Sequence, residues 1–358
     1  MIRDIALHMQ VSTEGQDFIE AEKIAAIMRM ARPNVTVIGV GGAGSNIVSW
    51  IKERGIAGGR LIAANTDAAH LSITKADRRI LIGEKLTQGQ GAGGYPERGA
   101  AATKESIEDF YKETQNSNII FLCAGLGGGT GTGASEVLAK ALQRPGRLVI
   151  GVVTLPFSVE RYRYESAKKG LQKLREYCDT VVAIDNTKLS KVAGDLPLQQ
   201  ALGVANELVG QFVKGITETI TTASLINIDY ADLRAIMQRR GLAAIGVGQA
   251  TGPNRVETAV RSALEGQLLD IRDPTRARGV LVHVAGGEDV SLEEVTKAGE
   301  LVTKSLPPTT RIVWGARVEP NMQGSARVMV VLTGVESTFL AQQGPRFQMG
   351  PVRVGSRN

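Results

Sequence analysis

Residues 34–46 read NVTVIGVGGAGSN, a β-branched apolar run from Asn34 to Val40 that empties into Gly41, Gly42 and Gly44. Val, Ile and Thr favour extended backbone, and glycine permits the sharp turn that follows. Gly39, Gly41 and Gly44 spell G-x-G-x-x-G, and an acid, Asp67, follows about 20 residues later. This is the pattern of a strand turning into a helix whose free amides and positive dipole end face a phosphate. Alone it suggests NAD, but the same backbone suits any nucleotide phosphate. A tight strand-to-helix turn without a ligand is the bland alternative.

Outward from this stretch, strand and helix alternate. Apolar runs at 34–40, 60–64, 79–82, 118–123, 147–153 and 180–184 read as strands, several of them apolar on both faces as buried parallel strands are. Helical spacing fills 44–54, 96–113, 132–143 and 161–177. The first half is therefore α/β, a Rossmann-like parallel sheet with right-handed crossovers. From Leu198 to Ile220 apolar residues keep helical spacing for roughly 24 residues, about 36 Å. A turn and a new helix follow over 225–232. Strands near 241–248, 279–284, 310–314 and 326–333, with helices near 255–268 and 291–304, make a smaller C-terminal α/β domain hinged on the long helix. The expected division is an N-terminal extension (1–32), a nucleotide domain (33–196), the central helix (197–224), a C-terminal domain (225–336) and a flexible basic tail (337–358).

Composition limits what these domains can do. With 43% hydrophobic residues over 358 positions the chain is too apolar for a disordered protein. Two cysteines, Cys123 and Cys178, make neither a disulfide framework nor a four-ligand zinc site, which fits a cytoplasmic compartment. No apolar run is long enough to span a membrane, and the N-terminus lacks a signal-peptide core. The net charge of +6 comes from 42 Lys+Arg interspersed with 36 Asp+Glu, without aromatics among basic clusters, so nucleic acid is not an expected partner. The surplus is glycine, 42 residues or about 12% against an ordinary 7% or so. It clusters at 39–44, 89–94 and 125–133.

The cluster at 125–133 separates the cofactors. Gly127, Gly128, Gly129, Thr130, Gly131, Thr132 and Gly133 read GGGTGTG, after one strand and leading into a helix. Five glycines and two hydroxyls can surround a terminal di- or triphosphate, for which a dehydrogenase has no use. No Lys follows, so this is not a Walker P-loop. The third loop, QGQGAGGYP at 88–96, is suited to close over a γ-phosphate. Far downstream, Asn227, Asp229 and Asp232 form N-x-D-x-x-D. On a helical turn Asp229 and Asp232 share a face, either as capping residues or as a pair that orients a hydrolytic water. Nearly a whole domain separates them from the glycine loops, so they are expected to act on the nucleotide of a neighbouring molecule.

At these residues the chain resembles FtsZ, the prokaryotic tubulin-superfamily GTPase family of cell division, and most of all its archaeal members. The motifs are IGVGGAGSN (38–46), ANTDA (64–68), GAGGYP (91–96), GLGGGTGTG (125–133), TLPF (154–157), NIDYADL (227–233) and WGARV (314–318), spread over 34–336. The resemblance implies the tubulin/FtsZ fold and GTP or GDP in the N-terminal domain. GGGTGTG would lie on the phosphates with Gly41, Gly42, Ala43 and Ser45 beside it. Asn65 and Asp67 would stand near the phosphates and a Mg²⁺ held mainly by them, and Ala92, Gly93 and Gly94 near the γ-phosphate. Glu160 would meet the ribose, Arg163 a phosphate, and Asn186 with Glu207 the guanine. It further implies a head-to-tail homopolymer in which Asn227, Asp229 and Asp232 of one protomer complete the next site. A membrane adaptor on the tail and a place at the midcell division site are also implied.

The chain departs from the family pattern in three places. ERYRY puts Arg163 three residues after Glu160 rather than four, Leu202 stands where a Phe is common, and Glu207 replaces an Asp. The resulting expectation is a GTPase whose turnover depends on assembly. A shape-organising filament with little turnover is the rival, and an NAD oxidoreductase a more distant one. Of the remaining residues, His70 reads as a helix residue, Trp50 and Trp314 as core or interdomain packing, and 14–30 as a docked helical extension.

Overall fold

The computed structural model describes residues 33–193, 196–222, 226, 228–238, 241–266, 271, 273–304 and 306–341. The expected extension and the tail beyond 341 lie outside these residues, as does Asn227. Six parallel strands, β1 (Val35–Val40), β2 (Gly59–Asn65), β3 (Arg78–Leu81), β4 (Ile119–Gly125), β5 (Leu148–Leu155) and β6 (Thr180–Asp185), form the first half. Around them run α1 (Gly41–Arg54), α2 (Ala68–Ile73), α3 (Glu84–Thr87), α4 (Pro96–Glu105), α5 (Ile107–Thr114), α6 (Gly129–Ala141), α7 (Arg161–Tyr177) and α8 (Asn186–Ala193). The long helix is α9 (Leu198–Thr221), followed by α10 (Tyr230–Met237). The second half holds β7 (Gly241–Thr251), α11 (Arg255–Glu265), β8 (Gly279–Gly286), α12 (Leu292–Thr303), β9 (Arg311–Val318), β10 (Ser325–Val335) and the short α13 (Thr338–Ala341).

The strand order is β3-β2-β1-β4-β5-β6-β7-β10-β8-β9. β6 joins β7 through three parallel pairs, from Thr180↔Gly241 to Val182↔Ala243, so one ladder runs through both halves. Antiparallel β10 lies between β7 and β8, and β9 forms the far edge. Alternate residues enter opposite layers: Ile38 and Val40 pack with Leu138 and Leu171, whereas Val37 packs with Ile47, Ile51 and Phe121. The second layer is closed by α9 through Val209, Phe212, Val213 and Ile216. Phe212 meets Phe121 edge-on, with centroids 6.0 Å apart.

Two expectations change. The helix expected over 96–113 breaks at Ser106, whose φ of −109° and ψ of 16° leave helical geometry, and α5 restarts there with Glu108 and Asp109 in its first turn. Trp314 is not core. On the edge strand its face has no further strand to cover it, and it is 39% exposed. Trp50 does pack, against α9 at Gly210, where a Cβ would lie 2.2 Å from the indole. Among the described residues no helix is long and apolar enough to cross a membrane.

Candidate functional site

The strand order turns outward in both directions from β1 and β4, so the loops leaving the carboxyl ends of these neighbours part to either side of a crevice. α1 and α6 both start there. Neither N-cap residue, Val40 or Gly128, supplies a side-chain cap, and neither first turn carries an acid. Their leading amides and dipole ends favour an anion. The two starts touch: Gly41 has φ +69°, and a Cβ on it would lie 3.0 Å from Gly131 N. Glycine satisfies both demands at little cost.

The third loop joins them. Ala68 N–H donates to Gly89 O at 3.0 Å and Gly91 N–H to Thr66 O at 3.1 Å, while Asp67 and Gln90 form a bridge. Ala92 is buried against the start of α6, where a Cβ on Gly129 would lie 2.9 Å from it, and Gly93 and Gly94 are exposed. Thr130 Oγ1 is 2.7 Å from Thr66 Oγ1. Thr132 turns inward, its buried Oγ1 accepting from Gly127 N–H at 2.8 Å, so its hydroxyl braces the loop. Gly133 seats α6 on Pro96 of α4. All three glycine clusters meet around one helix N-terminus.

The rim residues fall at the ends of neighbouring strands. Gly42 is exposed, and Ala43 stands over Gly125. Asn65, buried, accepts from Asp67 N–H at 3.3 Å, and Asp67 Oδ1 caps α2 by accepting from His70 N–H at 3.0 Å. His70 is thus a helix residue, with Nδ1 3.4 Å from Asn65 Nδ2. Glu160 Oε1 accepts from Phe157 N–H and its Oε2 pairs with Arg163 at 2.9 Å, beside Gly127, where an added Cβ would lie 2.7 Å from Arg163 O. Ser45 Oγ and Asn186 Oδ1 are buried with no protein partner. An orphaned buried polar atom costs about 1–3 kcal/mol, and these two lie where β1 and β6 give way to helices, while Ser166 Oγ on α7 is orphaned as well. Glu207 is placed differently. It accepts from Gln211 Nε2 at 3.0 Å and lines a cavity of about 510 Å³ between α9 and the C-terminal strands, with Trp50 and Lys214. Burial pushes the thiols of Cys123 and Cys178 up to about 12, so neither serves as a nucleophile at neutral pH.

The acids lie elsewhere. Asp229 is the N-cap residue of α10, yet its exposed carboxylate makes no cap bond. Asp232, one turn on, is 3.7 Å from Arg311, an open contact with side chains 50% and 57% exposed. Tyr230 anchors this end of α10, its hydroxyl donating to Gly146 O at 2.8 Å with Asn118 O at 3.3 Å. Asn118 immediately precedes β4, and Gly146 stands two residues before β5. At the other end of α10, Met237 O accepts from Thr180, the first residue of β6. The acids therefore sit at the amino ends of the parallel strands and the glycine loops at the carboxyl ends, a strand length of about 20 Å away. Sequence reasoning missed Thr66, Tyr230 and Arg311. Thr66 and Tyr230 lie inside the quoted motifs, and Arg311 carries no local signal.

Chemically, one end of the molecule can cradle a polyphosphate and the other can present two carboxylates to a water. Residues 34–194 match the GTPase domain of the Tubulin/FtsZ family, and residues 241–336 the C-terminal domain of the FtsZ family. The chain is 46% identical over 306 residues to "Cell division protein FtsZ 2" of Methanocaldococcus jannaschii, covering 85% of this chain and 80% of that protein. It is 44% identical to "Cell division protein FtsZ 1" of Archaeoglobus fulgidus over 326 residues, 90% and 88% of the two chains. An FtsZ dimer structure from M. jannaschii superposes with a TM-score of 0.85 at 41% identity, covering 93% of this chain and 98% of that one. With both domains matched and the glycine crevice and acidic loop in place, this chain belongs to the FtsZ family of tubulin-like GTPases.

Proposed function

We infer that this GTPase assembles head to tail into a cell-division filament in the cytoplasm, each protomer holding GTP at its glycine crevice and completing its neighbour's site with Asp229 and Asp232. One observation carries this reading: two exposed carboxylates, neither making a cap bond among the described residues, lie a strand length from the glycine cradle. Within one chain they cannot reach a γ-phosphate there; on the opposing face of a stacked copy they can. The carboxylates would orient the attacking water, and the α1 and α6 amides would hold the phosphates whose charge grows on the leaving side. The glycine crevice is assigned to 33–196, the acids to 225–336, and 197–224 connects them.

Mg²⁺ would neutralise phosphate charge. Asp67 fits it, since one carboxylate oxygen remains outside the α2 cap bond. Asn186, with its orphaned Oδ1, is our first candidate to read the base, and Glu207 would have to leave Gln211 to join it. We assign a membrane adaptor to the tail and the division site as the place of work. The relatives' names favour division over a shape-organising role. The test is GTP-dependent pelleting with phosphate release measured in the same samples. Turnover per molecule should rise above a threshold protein concentration. A specific rate constant at all concentrations would refute action in trans, and Asp232→Ala should retain GTP binding while losing phosphate release.

A further inference from the structure

The surface that carries the acids also carries a cation. Arg311 opens β9, with Nη2 3.7 Å from Asp232 Oδ1. Its backbone is held firmly. Arg311 pairs with Gly279 of β8, and the buried Thr310 before it donates its hydroxyl to Ala277 O at 3.3 Å. The guanidinium itself is loosely held, being 57% exposed with Asp232 as its one ion-pair partner among the described residues. A guanidinium offers five N–H donors, so most of its capacity is uncommitted. The result is a cation on a rigid base beside an acid for which it is the one ion-pair partner among the described residues.

A mobile carboxylate is a poor positioner of water, and two of them approaching a triphosphate meet like charge. That repulsion grows as the surfaces close and water leaves. Both difficulties have one remedy at this place in the fold. We propose that Arg311 is a positioning residue for Asp232, orienting its carboxylate and balancing the charge of the acidic loop as it meets the neighbour's GTP. The inference rests on the head-to-tail reading above. It places Arg311 on the loop's own side and requires no contact with the nucleotide. Asp229, which has no ion-pair partner among the described residues, is left as the unbraced member of the pair.

The test uses full-length Arg311→Gln, Arg311→Lys and Arg311→Glu, with phosphate release normalised to the mass of pelleted polymer at low and high salt. Release per unit polymer should fall roughly fivefold in Arg311→Gln at low salt and further in Arg311→Glu, while Arg311→Lys retains most of it. Added salt should narrow the gap between Arg311→Gln and wild type, because counter-ions then screen the loop. A purely structural loss would not respond in this way. GTP affinity of the unassembled variants should equal wild type, since the crevice lies at the other end of the strands. An unchanged rate per unit polymer in Arg311→Gln, a Lys variant no better than Gln, or a gap indifferent to salt each overturns the proposal. A wild-type protein without a concentration threshold instead overturns the head-to-tail reading, whatever Arg311 does.

Discussion

Protonating His283 should weaken the joint between α9 and the C-terminal strands. His283 lies on β8 and is 5% exposed, with Nε2 2.7 Å from Thr219 Oγ1. The Thr219 hydroxyl also lies 2.7 Å from Gly215 O, and its single proton is donated there. Nε2 must then carry the imidazole hydrogen and donate to Thr219, leaving Nδ1 bare and the ring neutral. Burial, and then the nearby Arg317 and Arg327, hold the His283 pKa at about 4 instead of 6.5. Because the folded-state value is depressed, the unfolded chain takes up a proton between these values that the folded chain refuses. Stability is complete above about pH 6.5 and is lost as pH falls toward 4. At 1.36 kcal/mol per pKa unit the full difference is about 3 kcal/mol, of which about 2 kcal/mol is lost between about pH 7 and pH 5. Hydrogen bonds from Arg255 hold Asp289 and Glu294 below the ordinary carboxylate range, so their contributions fade only at lower pH. Urea unfolding across this window should show the loss in wild type and not in His283→Gln, whose amide can still donate to Thr219 but does not titrate. A wild-type loss below about 0.5 kcal/mol, or an equal slope in the Gln variant, would refute the assignment.

Two further substitutions test other joints. Glu218 is 5% exposed on α9 and accepts from Ala57 N–H at 3.1 Å, Lys214 at 3.2 Å and Arg317 at 2.5 Å, linking both halves to the long helix. Glu218→Ala should cost about 3 kcal/mol in urea unfolding, and a double-mutant cycle with Arg317→Ala should show coupling above about 0.5 kcal/mol. Gly133→Ala would drive a Cβ to 1.9 Å from Pro96 O, separating α6 from α4. It should lose about 1–3 kcal/mol of stability and weaken GTP binding measured by calorimetry, because the helix start assigned to the phosphates must shift.

Which of these features could be read from the chain follows from how local their causes are. Gly127, Gly129, Gly131 and Gly133 of GGGTGTG are each demanded where they stand, by a backbone contact or a left-handed turn, so the cradle is visible in the string even though Gly128 meets neither demand. The strands of the first half are visible for a similar reason: burial on both faces makes them apolar throughout. The break at Ser106 is hidden because apolar spacing continues through it. The exposure of Trp314 is hidden because being an edge strand is a property of the sheet order, and the string does not contain that order. The acids fall between these cases. Their identity is written in N-x-D-x-x-D, but their distance from the cradle depends on which ends of β4, β5 and β6 carry α10. A tyrosine hydroxyl on Gly146 O and a threonine on Met237 O settle that. Neither bond has a sequence signature. Yet they place a pair of candidate capping residues a strand length from the glycine loops of their own chain, and the proposal that hydrolysis takes two molecules rests on that displacement more than on any single motif.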